Sequence, residues 1–407
     1  MPPVPAARNF GITDVEVKGF RSAREVSFSP GPLCALVGEA RSGKSNLLAA
    51  IRAALDPASA PLAAADAAVD GDGTISIRVR LADGSEVTLA GTPESHTVDR
   101  PPSGPSVLFL PAAARASTRL VDGGHGSVEA ARALELFQHA LADGEPLSTA
   151  PALAAVEALE ACCASGVRGL LLLVEEPELY LRPQAQRYLY RLLRTFASGG
   201  NQVAYSTHSP AFLNVARLDE LVFVERLPRT GTRTTQPAPV TPDEDFRVLT
   251  EFDAARSELF LARAAVLVEG QTEKLVLPFV FAALGYDADR ETISIVECGG
   301  KPNIPLFARI CRAVGVPFVV VHDSDQRPGR KPIAAEQALN ALIAEVTGDG
   351  RRVVLEPDFE AVAGLQGHSH KPERAWRRFA ALTPAEMPEP LARAAELAVS
   401  LARQQTR

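Results

Sequence analysis

Short runs of β-branched and aliphatic residues alternate with longer stretches whose apolar positions recur at helical spacing. That alternation predicts an α/β architecture with mostly parallel strands. In the first half, "PLCALVG" (32 to 38) predicts a strand, "EARSG" a short loop and "KSNLLAAIRAAL" (44 to 55) a helix. "GLLLLVEEPELYLRP" supplies a second apolar strand, Leu170 to Val174, and "QVAYSTHSP" a third. In the second half four strand patterns alternate with helices. "ARAAVLVEG" precedes a helix from about Thr272 to Leu284, "ETISIVECGG" precedes "NIPLFARICRAVG", "VPFVVVHDSD" precedes "KPIAAEQALNALIAEV", and "RRVVLEPDFEAV" closes the series.

The clearest break in this pattern is "RLPRTGTRTTQPAPVTPDED" (226 to 245), rich in Thr, Pro and Arg, which reads as a linker or surface loop. It divides the chain into expected domains 1–245 and 246–407, the second ending in a helical tail, in keeping with 407 residues. A weaker break, "RPPSGPSVLFLPAAARASTRLVDGGHGS", predicts turns around one buried strand, Val107 to Leu110. No apolar run approaches the ~18 residues of a membrane span, and "MPPVPAARNFGITDVEVKGF" lacks the apolar core of a signal peptide. A cytoplasmic protein with no membrane partner is expected. Cys34, Cys162, Cys163, Cys298 and Cys311 form no zinc-type spacing and are expected to be small buried residues. The net charge of −7 excludes coating of nucleic acid by electrostatics alone. Any DNA contact must use divalent metal or a local basic patch, for which "KPERAWRR" and "RLPRTGTR" are candidates.

Gly38 to Ser45 spells G-x-x-x-x-G-K-S between a strand and a helix. In that context Gly38, Ser42, Gly43 and Asn46 belong to a loop and helix start whose backbone N–H groups cradle phosphates. Lys44 would reach the β and γ phosphates of ATP, and Ser45 would ligate Mg²⁺. Glu175 and Glu176 end the next strand, where one acid holds Mg²⁺ through water and the following one polarises the attacking water. His208 ends the third strand, in reach of a γ-phosphate.

The second half places acid at successive strand ends: Glu269 after the first strand, Asp323 and Asp325 after the third, and Glu356, Asp358 and Glu360 after the fourth. In an open parallel sheet these ends share the ligand-binding edge. Carboxylates crowded there repel one another unless cations neutralise them, so Glu269, Asp323 and Asp325 together imply a divalent metal. Taken singly, Glu273 or Asp358 is as well explained as a helix-start acid.

"GEARSGKS", "LLLLVEEPELYLRP" and "STHSPAFL" resemble the Walker A, Walker B with D-loop, and H-loop motifs of ABC-type ATPases of the SMC and RecF kind. The resemblance implies a head that dimerises around two nucleotides, with a reduced dimerisation or helical insert near 125–165. No LSGGQ-like signature lies between 111 and 169. The nearest stretch, with Leu147 and Ser148, lacks the glycine pair, so slow hydrolysis is expected. The E-G and D-x-D motifs of the second half resemble a TOPRIM domain. "SELFLARAAVLVEGQTEKLVLP", "LEPDFE" and "HKPERA" together resemble the OLD (overcoming lysogenization defect) nucleases, which join the two folds.

That resemblance implies DNA nicking or cleavage with two metals, Mg²⁺ or Mn²⁺. It matches Glu269 and Glu273 to the VEGxTE glutamates, Asp323 and Asp325 to the D-x-D pair, and Glu360, with Glu356 nearby, to a later acid. Lys371 matches the lysine that stabilises the scissile phosphate. Two competing functions are a topoisomerase, which would need a tyrosine nucleophile, and an SMC- or RecF-like repair or sensing ATPase with a vestigial TOPRIM. Phage defence, a homodimer or higher homo-oligomer and an operon-encoded helicase partner complete the expectations.

Overall fold

The computed structural model describes residues 11–69, 71–101, 104–110, 150–179, 181–213, 215–237, 256–326, 329, 333–348, 350–365 and 371–405. Leu147, Ser148 and most of the expected insert lie outside the described residues. The chain divides into two compact units, Met1–Pro239 and Val240–Arg407.

The first unit contains two sheets. One is antiparallel and orders its strands β2 (Ala23–Phe28), β1 (Ile12–Phe20), β4 (Ile75–Leu81), β5 (Glu86–Gly91), β6 (His96–Asp99). Its strands alternate buried and exposed positions, as in ISIRVRL of β4, so one face meets the core and the other meets water. This sheet departs from the expectation of mostly parallel strands. Antiparallel neighbours need only tight turns, and such polar-faced strands lack the continuous apolar signal of a buried parallel strand.

The other sheet orders β11 (Gly231–Thr235), β10 (Leu221–Leu227), β3 (Leu33–Val37), β9 (Gln202–Thr207), β8 (Leu170–Glu175), β7 (Ser106–Leu110). From β10 to β7 every neighbour is parallel. Helix α1 (Lys44–Leu55) buries Leu47, Leu48, Ile51 and Leu55 in a core shared by both sheets. Helices α2 (Ala150–Ala164) and α3 (Pro183–Ser198) flank the parallel strands in sequence. Residues 226–237, expected as linker, instead finish β10 and return as β11, paired antiparallel from Phe223↔Thr235 to Leu227↔Gly231. The run of β-branched threonines that looked like loop composition suits an edge strand.

In the second unit β12 (Ala264–Val268), α4 (Gln271–Ala283), β13 (Ile293–Glu297), α5 (Ile304–Val314), β14 (Phe318–Asp323), α6 (Ala334–Thr347) and β15 (Arg352–Leu355) alternate without interruption. Three helices follow: the single turn α7 (Phe359–Val362), then α8 (Lys371–Phe379) and α9 (Glu389–Gln404). The sheet order is β13-β12-β14-β15, all parallel. Every residue of β12 is buried, which is why it reads as an unbroken apolar run. Leu391, Ala394, Ala395 and Ala398 of α9 join Val266, Val319 and Val321 in one core. Because the order reverses direction at β12, a crevice opens between the carboxyl ends of β12 and β14, where such sheets bind ligands.

Candidate nucleotide site and candidate metal centre

In the first unit the pairings Val37↔Thr207 and Glu175↔Ser206 align the carboxyl ends of β3, β9 and β8. The loop after β3 wraps back on itself: Lys44 Nζ donates to Gly38 O at 2.9 Å and to Glu39 O at 2.8 Å. Burial lowers the Lys44 pKa to about 8, opposed by Glu176, Glu178 and Glu39. Gly43, at φ 111, admits no side chain, since a Cβ would stand 2.2 Å from Thr232 Oγ1. Gly38 is equally constrained by Val224 O at 2.0 Å. Ser45 is exposed at the start of α1, whereas Ser42 Oγ is buried without a hydrogen-bond partner among the described residues. Asn46 donates to Ser22 Oγ at 2.6 Å and accepts from Arg21 at 3.3 Å, which fixes the first turn of α1.

Glu176 sits at φ 44, a conformation costly for a side chain of its kind, and its N–H donates to Ser206 O at 3.0 Å. That turn brings its Oε1 within 3.7 Å of His208 Nε2. Burial and the Lys44 charge lower the His208 pKa, against Glu176 and Glu178, so the ring favours its neutral form. Glu178 also has a place in this site. Its Oε1 accepts from Thr207 Oγ1 at 2.9 Å and from the His208 N–H at 2.6 Å, clamping the end of β9 to the loop after β8. The signal was present as the third glutamate of EEPE, but its contacts are tertiary.

In the second unit the crevice between β12 and β14 gathers the acids. Glu269 Oε1 accepts the Asp323 N–H at 2.7 Å, and Asp323 Oδ1 accepts the Phe359 N–H at 2.8 Å. Glu273, 5% exposed, accepts the Gly270 N–H at 3.2 Å through Oε2. Two lysines close the cluster. Lys371 pairs with Glu360 at 2.8 Å, and Lys301 pairs with Asp325 at 2.7 Å. Lys301, from the loop after β13, was not singled out in the sequence. Asp358 caps α7 by accepting from Ala361 N–H at 2.9 Å, and Glu356 is exposed. Among the described residues no three His, Cys, Asp or Glu side chains stand as a ready-made metal cage. Lysines and backbone N–H groups hold the oxygens instead. Their chemistry nonetheless suits a hard divalent cation, because buried carboxylates need positive charge beside them.

Burial raises the Asp323 pKa to about 8, reinforced by Glu269 and Glu273, and raises Glu269 to about 7. For Lys371 burial works against the charge, but Glu360, Glu273 and Asp323 outweigh it and the pKa rises. Both acids therefore keep protons in the folded chain that the unfolded chain has released. Between about pH 4 and pH 8 the folded state binds more protons, so these groups make stability fall as pH rises. A divalent ion held by these carboxyls would have to displace those protons. Mn²⁺ affinity, measured by calorimetry, is expected to climb steeply from pH 6 to 8 and flatten above. A flat profile from pH 6 upward would show that these two carboxyls are not what the metal displaces.

A phosphate-loop unit joined in one chain to a parallel sheet with acidic strand ends defines an ATPase–TOPRIM protein. Residues 260–325 match the overcoming-lysogenization-defect-protein-like TOPRIM domain family, and residues 160–213 match an AAA ATPase domain family. The chain is similar to the OLD nuclease of Thermus scotoductus, 38% identical over 226 residues, covering 50% of this chain and 42% of that protein. It is also similar to the Old nuclease of Escherichia phage P2, 28% identical over 162 residues, covering 38% of this chain and 28% of that protein. Both matches thus span less than half of these curated relatives. The C-terminal region of the Burkholderia pseudomallei OLD protein superposes with a TM-score of 0.30 and 16% identity, covering 35% of this chain and 99% of that one. Over these regions the chain is similar to OLD proteins, with an OLD-like TOPRIM match in the second unit and an ATPase match in the first.

Proposed function

We propose that the chain is an ATP-binding, divalent-metal-dependent DNA endonuclease that nicks or cleaves through its TOPRIM unit. The observation that carries this reading is the meeting of Glu269 and Asp323 in the β12–β14 crevice, with Lys301 and Lys371 drawn in to balance their charge. Glu269, Glu273, Asp323, Asp325 and Glu360 would hold two ions, Mg²⁺ or Mn²⁺, with Glu356 as an outer candidate. When bound, such a pair supplies an activated water and a stabilised leaving oxygen. Lys371 carries a positive charge that can face a scissile phosphate once Glu360 turns to metal.

In the first unit Lys44 and Ser45, with Glu175, would hold Mg²⁺–ATP, while Glu176 and the neutral His208 orient water at the γ-phosphate. The names of the two relatives and the paired family matches support the nuclease reading. A homo-oligomer assembled around nucleotide, a helicase partner and a role in phage defence extend it.

Supercoiled plasmid tests the proposal with Mg²⁺ or Mn²⁺, each with and without ATP. Nicked or linear product that vanishes in EDTA is expected. Relaxed topoisomers would indicate a topoisomerase, and unchanged plasmid a repair or sensing ATPase with a vestigial second site.

A further inference from the structure

The loop after β13 delivers a lysine into the acid cluster, and its geometry is specific. Cys298 N–H donates to Val268 O and Gly300 N–H to Glu269 O at 2.8 Å, so the loop is stitched across the end of β12. Asn303 Nδ2 donates back to Cys298 O at 3.0 Å and Asn303 N–H to Gly300 O, which fixes the turn that holds Lys301. Lys301 is 7% exposed. Its Nζ donates to the Asp323 carbonyl and, at 2.7 Å, to Asp325 Oδ2, spanning both ends of the D-x-D turn. Asp325 holds φ 59, a left-handed conformation that aspartate adopts more readily than most side chains, with its N–H donating to Pro357 O at 2.9 Å. A buried ammonium is costly unless paired, so this lysine and this turn stabilise each other.

We propose that Lys301 is a positioning residue that neutralises and shapes the Asp323–Asp325 turn when no divalent ion is bound, and that metal entry requires Asp325 to leave it. The inference rests on the metal-dependent reading above. The buried Lys301 ammonium already holds Asp325 Oδ2 at 2.7 Å on a half-buried carboxylate, so a cation arriving at that oxygen is repelled by the ammonium and competes with it. Removing the charge while keeping the volume removes the competitor. A lysine with only a packing role would change stability equally with and without metal and would not tighten binding.

The test is Mn²⁺ titration of the full chain by calorimetry. Lys301→Met should bind Mn²⁺ about tenfold more tightly than wild type, the size of one charge-pair perturbation of a pKa unit. It should also melt lower in EDTA, with Mn²⁺ closing the gap. Lys301→Arg, which keeps the charge, should stay near wild type. Unchanged or weaker binding in Lys301→Met overturns the inference. If that variant does not fold, amine acylation of the wild type followed by mass spectrometry serves instead. Lys301 should become more reactive with Mn²⁺ than in EDTA, and equal reactivity overturns the inference. A wild type that binds no Mn²⁺ overturns the metal reading and this inference with it. Binding lost in Asp323→Ala but unaltered in Lys301→Met overturns the inference alone.

Discussion

Asp323→Ala is expected to lower plasmid cleavage by at least about a hundredfold, since even the outer partners of a metal site cost 10–100-fold when removed. Asp323 ends the inner strand β14; its carboxyl accepts the Phe359 N–H, and its own backbone N–H donates to Glu269 Oε1. Alanine leaves the Phe359 N–H without that acceptor, a loss offset by the removal of a buried acid whose charge Glu269 and Glu273 already oppose. The folded unit should therefore survive, and a melting curve in EDTA near that of wild type will show that cleavage was lost through the site. Lys371→Ala should differ in kind: Mn²⁺ binding stays largely intact while the chemical step slows. Cleavage by the wild type should weaken as salt rises if, as proposed, the basic stretch of α8 meets DNA phosphate. Cleavage that persists in Asp323→Ala or in EDTA would rule out the two-metal mechanism.

Lys44→Ala should weaken ATP binding at least about a hundredfold, or roughly 2.7 kcal/mol. The ammonium is buried against the carbonyls of Gly38 and Glu39 and, on the proposed reading, would be the cation that meets the phosphates. Its partners are backbone carbonyls at the mouth of the loop, which water can reach after truncation, so α1 should keep its packing through Leu47, Leu48 and Ile51. Titration with a fluorescent ATP analogue reads the affinity. An unchanged affinity would remove the phosphate-loop assignment.

Much of this was legible in the sequence because it is local. The strand, loop and helix around Lys44 and the strands β8, β9, β12 and β14, buried except at Glu175 and Asp323, announce themselves through short apolar runs that lead into polar chemistry. What escaped depends on contacts distant in sequence. Lys301 looks like any loop lysine until the β13 loop folds over β12 and sets it beside Asp325, and Glu178 looks like a spare acid until β9 pairs with β8. The β10–β11 hairpin was hidden by composition, since threonine and arginine suit a loop and an edge strand alike. The antiparallel sheet was hidden because its half-polar strands carry no single strong signal.

The all-parallel order β13-β12-β14-β15 also governs when the acid cluster can come into being. No two of its strands can zip through a hairpin, because each pairing waits for an intervening helix to cross over. Glu269, Asp323 and Phe359 with Glu360 follow three different strands, so they meet only after β12, β14 and β15 have docked. Such late, non-local pairing is slow. It spares the growing chain, however, since the repulsion among these carboxylates is absent from the early, loosely formed sheet and arises only once Lys301 and Lys371 arrive with the same loops and helices that bury them.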